Sequence, residues 1–178
     1  KAEFDAQLAT LSVTSIDDAE FELIMRLPSD QRDTRLEELG QVSETVNSSL
    51  LSAADAFDRA QQLRAQLRLK SLSPDTPEEE PDELADAAAE AEIQYEVARD
   101  TALATAISPQ DVKRALERST EKKSIRDGDK YVEISSERER ALDDIRAQYP
   151  EIEDQLNEVI AAYDEYSKNR QSLDDTAD

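Results

Sequence analysis

The chain has no cysteine, no histidine and no tryptophan. Without cysteine there is no disulfide, no thiolate metal site and no thiol nucleophile. Without histidine the usual general base, the usual triad member and the commonest neutral metal ligand are missing. A di-iron helical bundle needs Glu-x-x-His pairs, which this sequence cannot supply. Two glycines are too few for a phosphate-cradling loop, so Walker and Rossmann motifs are excluded. These absences point away from an enzyme, and no catalytic, cofactor-binding or metal-ligating residue is assigned. No apolar run reaches the ~18–20 residues of a membrane span, and no signal peptide is visible. Residue 1 is Lys rather than Met, which reads as a processed or excised piece of unknown compartment.

Bulky apolar residues are also scarce. Aromatics make up 4% of the chain, and the mean hydropathy is -0.75. A compact globule of 178 residues would ordinarily carry more. An elongated helical bundle can manage with fewer.

Charge is what the chain has in excess. Asp and Glu total 43 against 21 Lys and Arg, a formal charge of -22. Such a field repels nucleic acid and anionic membrane. It suits a basic protein partner or a salty environment.

Leu142, Tyr149, Leu156 and Tyr163 recur every seventh residue, and Ile145, Ile152, Val159 and Tyr166 form a second lane. Together they make an a/d seam for packing against another helix. The seam keeps its phase through Pro150, so the expectation is one kinked helix over about 131–171.

A second heptad lane, Leu39, Val46, Ala53, Ala60 and Leu67, predicts a helix over about 30–71, with Gly40 and Asn47-Ser48-Ser49 as weak points. An alanine-rich stripe predicts a third over about 82–126, with Ser108-Pro109 marking a kink or a new start. Residues 72–81 read as an acidic, proline-rich loop and 172–178 as an acidic tail. Phe4, Leu8 and Leu11 predict a short helix within 1–12, and a second is expected over about 16–27, capped by Ser15. The predicted fold is all-α: an elongated antiparallel three-helix bundle or coiled coil of helices about 40 residues long, or roughly 60 Å. Residues 1–27 would pack on the end of the 28–171 bundle.

Three groups are candidate partner-binding residues. Phe21, Ile24, Met25 and Leu27 form an apolar cluster broader than one helix face needs. Arg114, Arg118, Lys122 and Arg126 recur every fourth residue and would form a basic stripe on a helix. Tyr149, Tyr163 and Tyr166 lie in the seam, where a hydroxyl tolerates a half-wet interface. Asp127-Gly128-Asp129 opens like a calcium loop, but Tyr131, Val132 and Arg138 fall where an EF-hand needs ligands and glycine. It reads as a turn. Tyr131 to Ile134 could be a strand, but with no partner strand expected it is assigned to the last helix.

The functional expectation is a non-enzymatic helical protein–protein interaction module, a scaffold, adaptor or assembly subunit that binds its partner, another protein or a second copy, through helix faces. The alternatives are an extracytoplasmic sensory or ligand-binding helical bundle cut from a membrane protein, and an acidic chaperone or mimic that binds a basic protein. No small-molecule ligand is identifiable.

Overall fold

A computed structural model describes residues 1–73 and 80–175. Most of residues 72–81, expected as an acidic loop, and the last three residues of the chain lie outside it. The described residues are mostly helical, with eight α-helices and a two-stranded sheet. They divide into two compact units, residues 1–15 with 107–178, and residues 16–106.

In the first unit, α1 (Ala2–Ala9) packs on α8 (Glu153–Asp175) and α6 (Pro109–Leu116). Helix α6 packs in turn on α7 (Glu137–Gln148). The core joins Phe4, Leu8 and Leu11 to Val112, Ala115, Leu116, Leu142, Ile145, Tyr149, Ile152, Leu156 and Val159. Both lanes of the seam are thus buried as far as Val159.

The helix carrying the seam is nevertheless broken, which corrects the reading of one helix over 131–171. Pro150 disfavours helical backbone at the residue before it, and Tyr149 sits at φ -128, ψ 65. A short 3-10 turn, Pro150–Ile152, joins α7 to α8. The Tyr149 N–H still donates to the Ile145 carbonyl at 2.9 Å, and Ile152 N–H to the Tyr149 carbonyl at 3.1 Å. The turn is so short that the apolar lanes resume on the same face. Of the acidic tail expected over 172–178, residues 172–175 belong to α8 and the rest lie outside the described residues.

Ser108 and Asp111 form a reciprocal capping box at the start of α6. The Ser108 backbone N–H and hydroxyl hold the Asp111 carboxyl below its ordinary range. A depressed carboxyl stabilises the fold above its unfolded pKa of about 3.9 and loses that effect as pH falls through the folded value. Ser108→Ala is expected to cost about 1 kcal/mol. In chemical denaturation, the stability gap between the wild-type chain and Asp111→Asn should be present near neutrality and shrink below about pH 4.

The second unit contains α2 (Asp18–Met25), α3 (Ser29–Gly40), α4 (Glu44–Ser71) and α5 (Glu80–Thr105). Helices α4 and α5 make the principal packing pair; α3 lies on α4 and α2 on α3. Ala53 and Ala60 on α4 and Ala88, Ala91 and Ala102 on α5 are buried, so small side chains occupy the inner faces. Helix α2 is capped by Asp17, whose carboxylate accepts from the Glu20 N–H at 2.8 Å. Ser15, the cap expected from the sequence, precedes it and does not serve. Residues 30–71 are two helices rather than one. The first ends at Gly40, and Ser43 is extended (φ -161, ψ 136) ahead of α4. A Cβ on Gly40 would lie 2.8 Å from Asn47 Cβ, so the corner needs a residue without a side chain. Gly40→Ala is expected to cost about 1–3 kcal/mol by overpacking, read as a lower denaturation midpoint.

Arg32 on α3 is buried and forks onto Asp58 of α4. Its Nη1 and Nη2 donate to the two carboxylate oxygens at 2.7 Å each. Asp58→Ala leaves the buried guanidinium with only the exposed Asp33 carboxylate, 3.7 Å from its Nε. Because Asp58 itself is half exposed, water recovers part of the loss. The expected cost is about 1–3 kcal/mol, below the full penalty of breaking a buried pair. Arg32→Met should cost less than Asp58→Ala, because it removes the buried charge and leaves only the solvated carboxylates of Asp58 and Asp33.

Residues 82–126 are likewise not one helix. Helix α5 ends at Thr105 and α6 at Leu116. Strands β1 (Lys123–Asp127) and β2 (Lys130–Ile134) then pair antiparallel, Asp127 opposite Lys130 and Lys123 opposite Ile134. The segment assigned to the start of the last helix is therefore a strand. No continuous helix of about 40 residues is present among the described residues.

Candidate functional site

The residues singled out in the sequence go to different places. Phe21, Ile24 and Met25 are buried in the second unit, and only Leu27 of that cluster is exposed, at 38%. Tyr149 is fully buried. Burial pushes its phenol up, opposed by hydrogen bonds from the backbone of Thr14 and Ile107 and from the Thr14 side chain. Tyr163 and Tyr166 are half-buried against Phe4, with ring centroids at 5.2 and 6.2 Å. The Arg138 guanidinium lies 5.5 Å from the Tyr163 ring centroid while Nη2 pairs with Asp164 at 2.8 Å. These aromatics serve packing within the first unit.

The four basic residues do not share a helix face, because the helix stops at Leu116. Arg114 pairs with Asp111 on α6. Arg118 is exposed beyond its end. Lys122 lies 3.8 Å from Glu133 and 3.7 Å from Glu139. Arg126 is in β1, and its Nε donates to the Gly128 carbonyl at 3.0 Å.

What the structure does expose is the hairpin. Both strands are exposed along their length, apart from half-buried Ile134. Ile125, Val132 and Tyr131 stand 50%, 44% and 76% exposed. Gly128, at φ 60, opens a two-residue turn, a conformation glycine adopts without the Cβ penalty. Opposed residues share a face. One face therefore carries Lys123 with Ile134, Ile125 with Val132, and Asp127 with Lys130; the other carries Ser124 with Glu133 and Arg126 with Tyr131. The sheet has two strands and no third among the described residues.

Two further surfaces lie in the second unit. A cleft of about 240 Å³ is lined by charged residues, among them Glu22, Arg64, Glu92 and Arg99, with Tyr95 beside them. The Tyr95 hydroxyl donates to Glu22 Oε1 at 3.0 Å, and Arg99 Nη1 donates to the same oxygen at 3.4 Å. Burial first, then the Glu22 carboxylate, raises the Tyr95 phenol. Arg64 pairs with Glu92. Along the α4–α5 pair, a shallower groove is lined by Ser48, Ser49 and Ser52 on one side and Ile93 and Val97 on the other. No group of acidic side chains among the described residues is arranged to hold a metal ion. No described helix is long and apolar enough to cross a membrane.

Compared with protein-family models, curated proteins and solved structures, the chain has no match.

The hairpin is the element that sequence reasoning misses, yet it carries a signal. Asp127-Gly128 between short runs containing Ile125, Tyr131 and Val132 is a strong local hairpin signature. The four-residue recurrence of basic residues hides it by suggesting a helix. The Glu22–Tyr95–Arg99 group has no comparable signal, since Glu22 lies far from the other two in the chain.

Proposed function

We propose that this chain is a non-enzymatic interaction module, a scaffold, adaptor or assembly subunit that binds protein through the hairpin at 123–134. One observation carries the reading: an apolar-bearing two-stranded sheet stands exposed, with no further strand on either edge among the described residues. Backbone N–H and C=O groups along such an edge are a template for another strand. The missing histidine and cysteine support a role in binding rather than in bond-making.

The test replaces Tyr131 and Val132 by serine, two exposed positions whose change leaves both helical cores intact. Cross-linking in the native cell extract, read by mass spectrometry, should show the wild-type adducts lost in the double variant. Helical circular dichroism should be unchanged. Identical adducts in both proteins would contradict the assignment.

A second reading is a ligand-binding bundle that uses the Glu22–Tyr95–Arg99 cleft. Its volume of about 240 Å³ falls below the roughly 300–1,000 Å³ of ordinary ligand pockets. Arg64 and Arg99 already meet carboxylates there. It therefore ranks second.

A further inference from the structure

We propose that the occupant of the hairpin edge is a second copy of the chain, with strand β1 paired antiparallel to β1 of its mate about a two-fold axis at Ile125. This rests on the interaction reading above and names the partner.

Charge favours the pairing. The sequence Lys123-Ser124-Ile125-Arg126-Asp127 is self-complementary when reversed. Centred on Ile125, it sets Lys123 opposite Asp127 of the copy, Ser124 opposite Arg126, and Ile125 opposite itself. The symmetry makes the Lys–Asp pair twice. The surroundings agree. Residues 122–134 hold Lys122, Lys123, Arg126 and Lys130 against Asp127, Asp129 and Glu133. In a chain of net charge -22, this segment is where two copies meet with little local repulsion. Charge farther away than the ~8 Å Debye length of physiological salt is largely screened.

Hydrogen-bond parity selects the same register. In a two-residue hairpin the pair next to the turn, here Asp127 and Lys130, is hydrogen-bonded, and the pattern alternates along the strands. Asp127, Ile125 and Lys123 therefore bond towards β2. Ser124 and Arg126 turn their N–H and C=O groups outward. A two-fold at Ile125 sets Ser124 against Arg126 of the copy, so that these outward groups pair. Shifting the register by one residue would lose both the parity and the Lys–Asp match.

The sheet itself also gains from a mate. A lone two-stranded hairpin is marginal in water, and three or more strands with an apolar face are needed for independent stability. The paired form has four strands, with Val132 and Ile125 of each chain forming one apolar row across them.

The experiment measures mass in solution against concentration, by sedimentation at physiological salt, on the full chain. The wild-type chain should shift from monomer to dimer as concentration rises. Lys123→Asp and Asp127→Lys should each weaken association by about tenfold or more, because two symmetric attractions become repulsions. Mixing these two variants should restore a dimer. One chain then presents an acid at both 123 and 127, and its mate presents a lysine at both. Ser124→Pro removes an outward N–H and should abolish the dimer, while the cross-strand contacts of β1 with β2 persist by NMR. A wild-type chain that stays monomeric, or a mixture of variants that fails to associate, would overturn the pairing. If the chain is monomeric while the Tyr131/Val132 double variant still loses an adduct to another protein, the self-pairing falls and the interaction reading stands. If the adducts are also unchanged, both fall.

Discussion

Tyr149→Ala is expected to destabilise the first unit by about 3–5 kcal/mol, the range for emptying a fully buried aromatic site. Tyr149 has no exposed surface, and it sits at the junction of α7 and the 3-10 turn. Its ring is fully buried, and its hydroxyl meets Thr14 and the backbone of Ile107. The alanine variant loses the packing and takes one partner away from those polar groups. Tyr149→Phe keeps the packing and should cost only about 0.5–2 kcal/mol. Amide exchange resolves the result by unit: protection should fall for α1, α6, α7 and α8 and change little in α4 and α5. A small, local loss in the alanine variant would show that the tyrosine is not a keystone of that core.

Phe21→Ala is expected to cost the second unit about 3–5 kcal/mol by the same mechanism. Phe21 is fully buried on α2, with Ile24 and Met25 beside it. The neighbouring Leu23 is well exposed, so Leu23→Ala should change stability by no more than about 0.5 kcal/mol. The pair separates two accounts of the α2 apolar cluster. A core cluster gives a large loss at Phe21 and almost none at Leu23. A docking patch would give little loss of stability at either and a loss of binding at both. Thermal unfolding of the two variants, followed in α2–α5 by exchange, decides between them.

The contrast between these residues and the hairpin shows what local pattern could and could not convey. Apolar recurrence reports which residues turn inward, and Leu142, Ile145, Ile152, Leu156 and Val159 are all buried. It does not report continuity. The three-residue turn at Pro150–Ile152 leaves the recurrence in phase, so the break leaves no mark on it. The corner at Gly40 is visible as a weak point, because glycine tolerates the close approach of Asn47. The basic residues show the reverse failure. Their four-residue spacing mimics a helix face, but Arg126 lies in a strand whose pairing is decided by the turn at Gly128. The cleft at Glu22, Tyr95 and Arg99 is not legible, because the approach of α2 to α5 assembles it, and no spacing in the chain encodes that contact.

The most direct test of edge-to-edge pairing is amide hydrogen exchange at Ser124 and Arg126 as a function of protein concentration. Pairing predicts that both amides exchange freely in dilute solution and gain protection as the chain associates, while Ile125, already bonded to β2, changes far less. Fast exchange of Ser124 and Arg126 at every concentration, in a chain that sediments as one copy throughout, would contradict it.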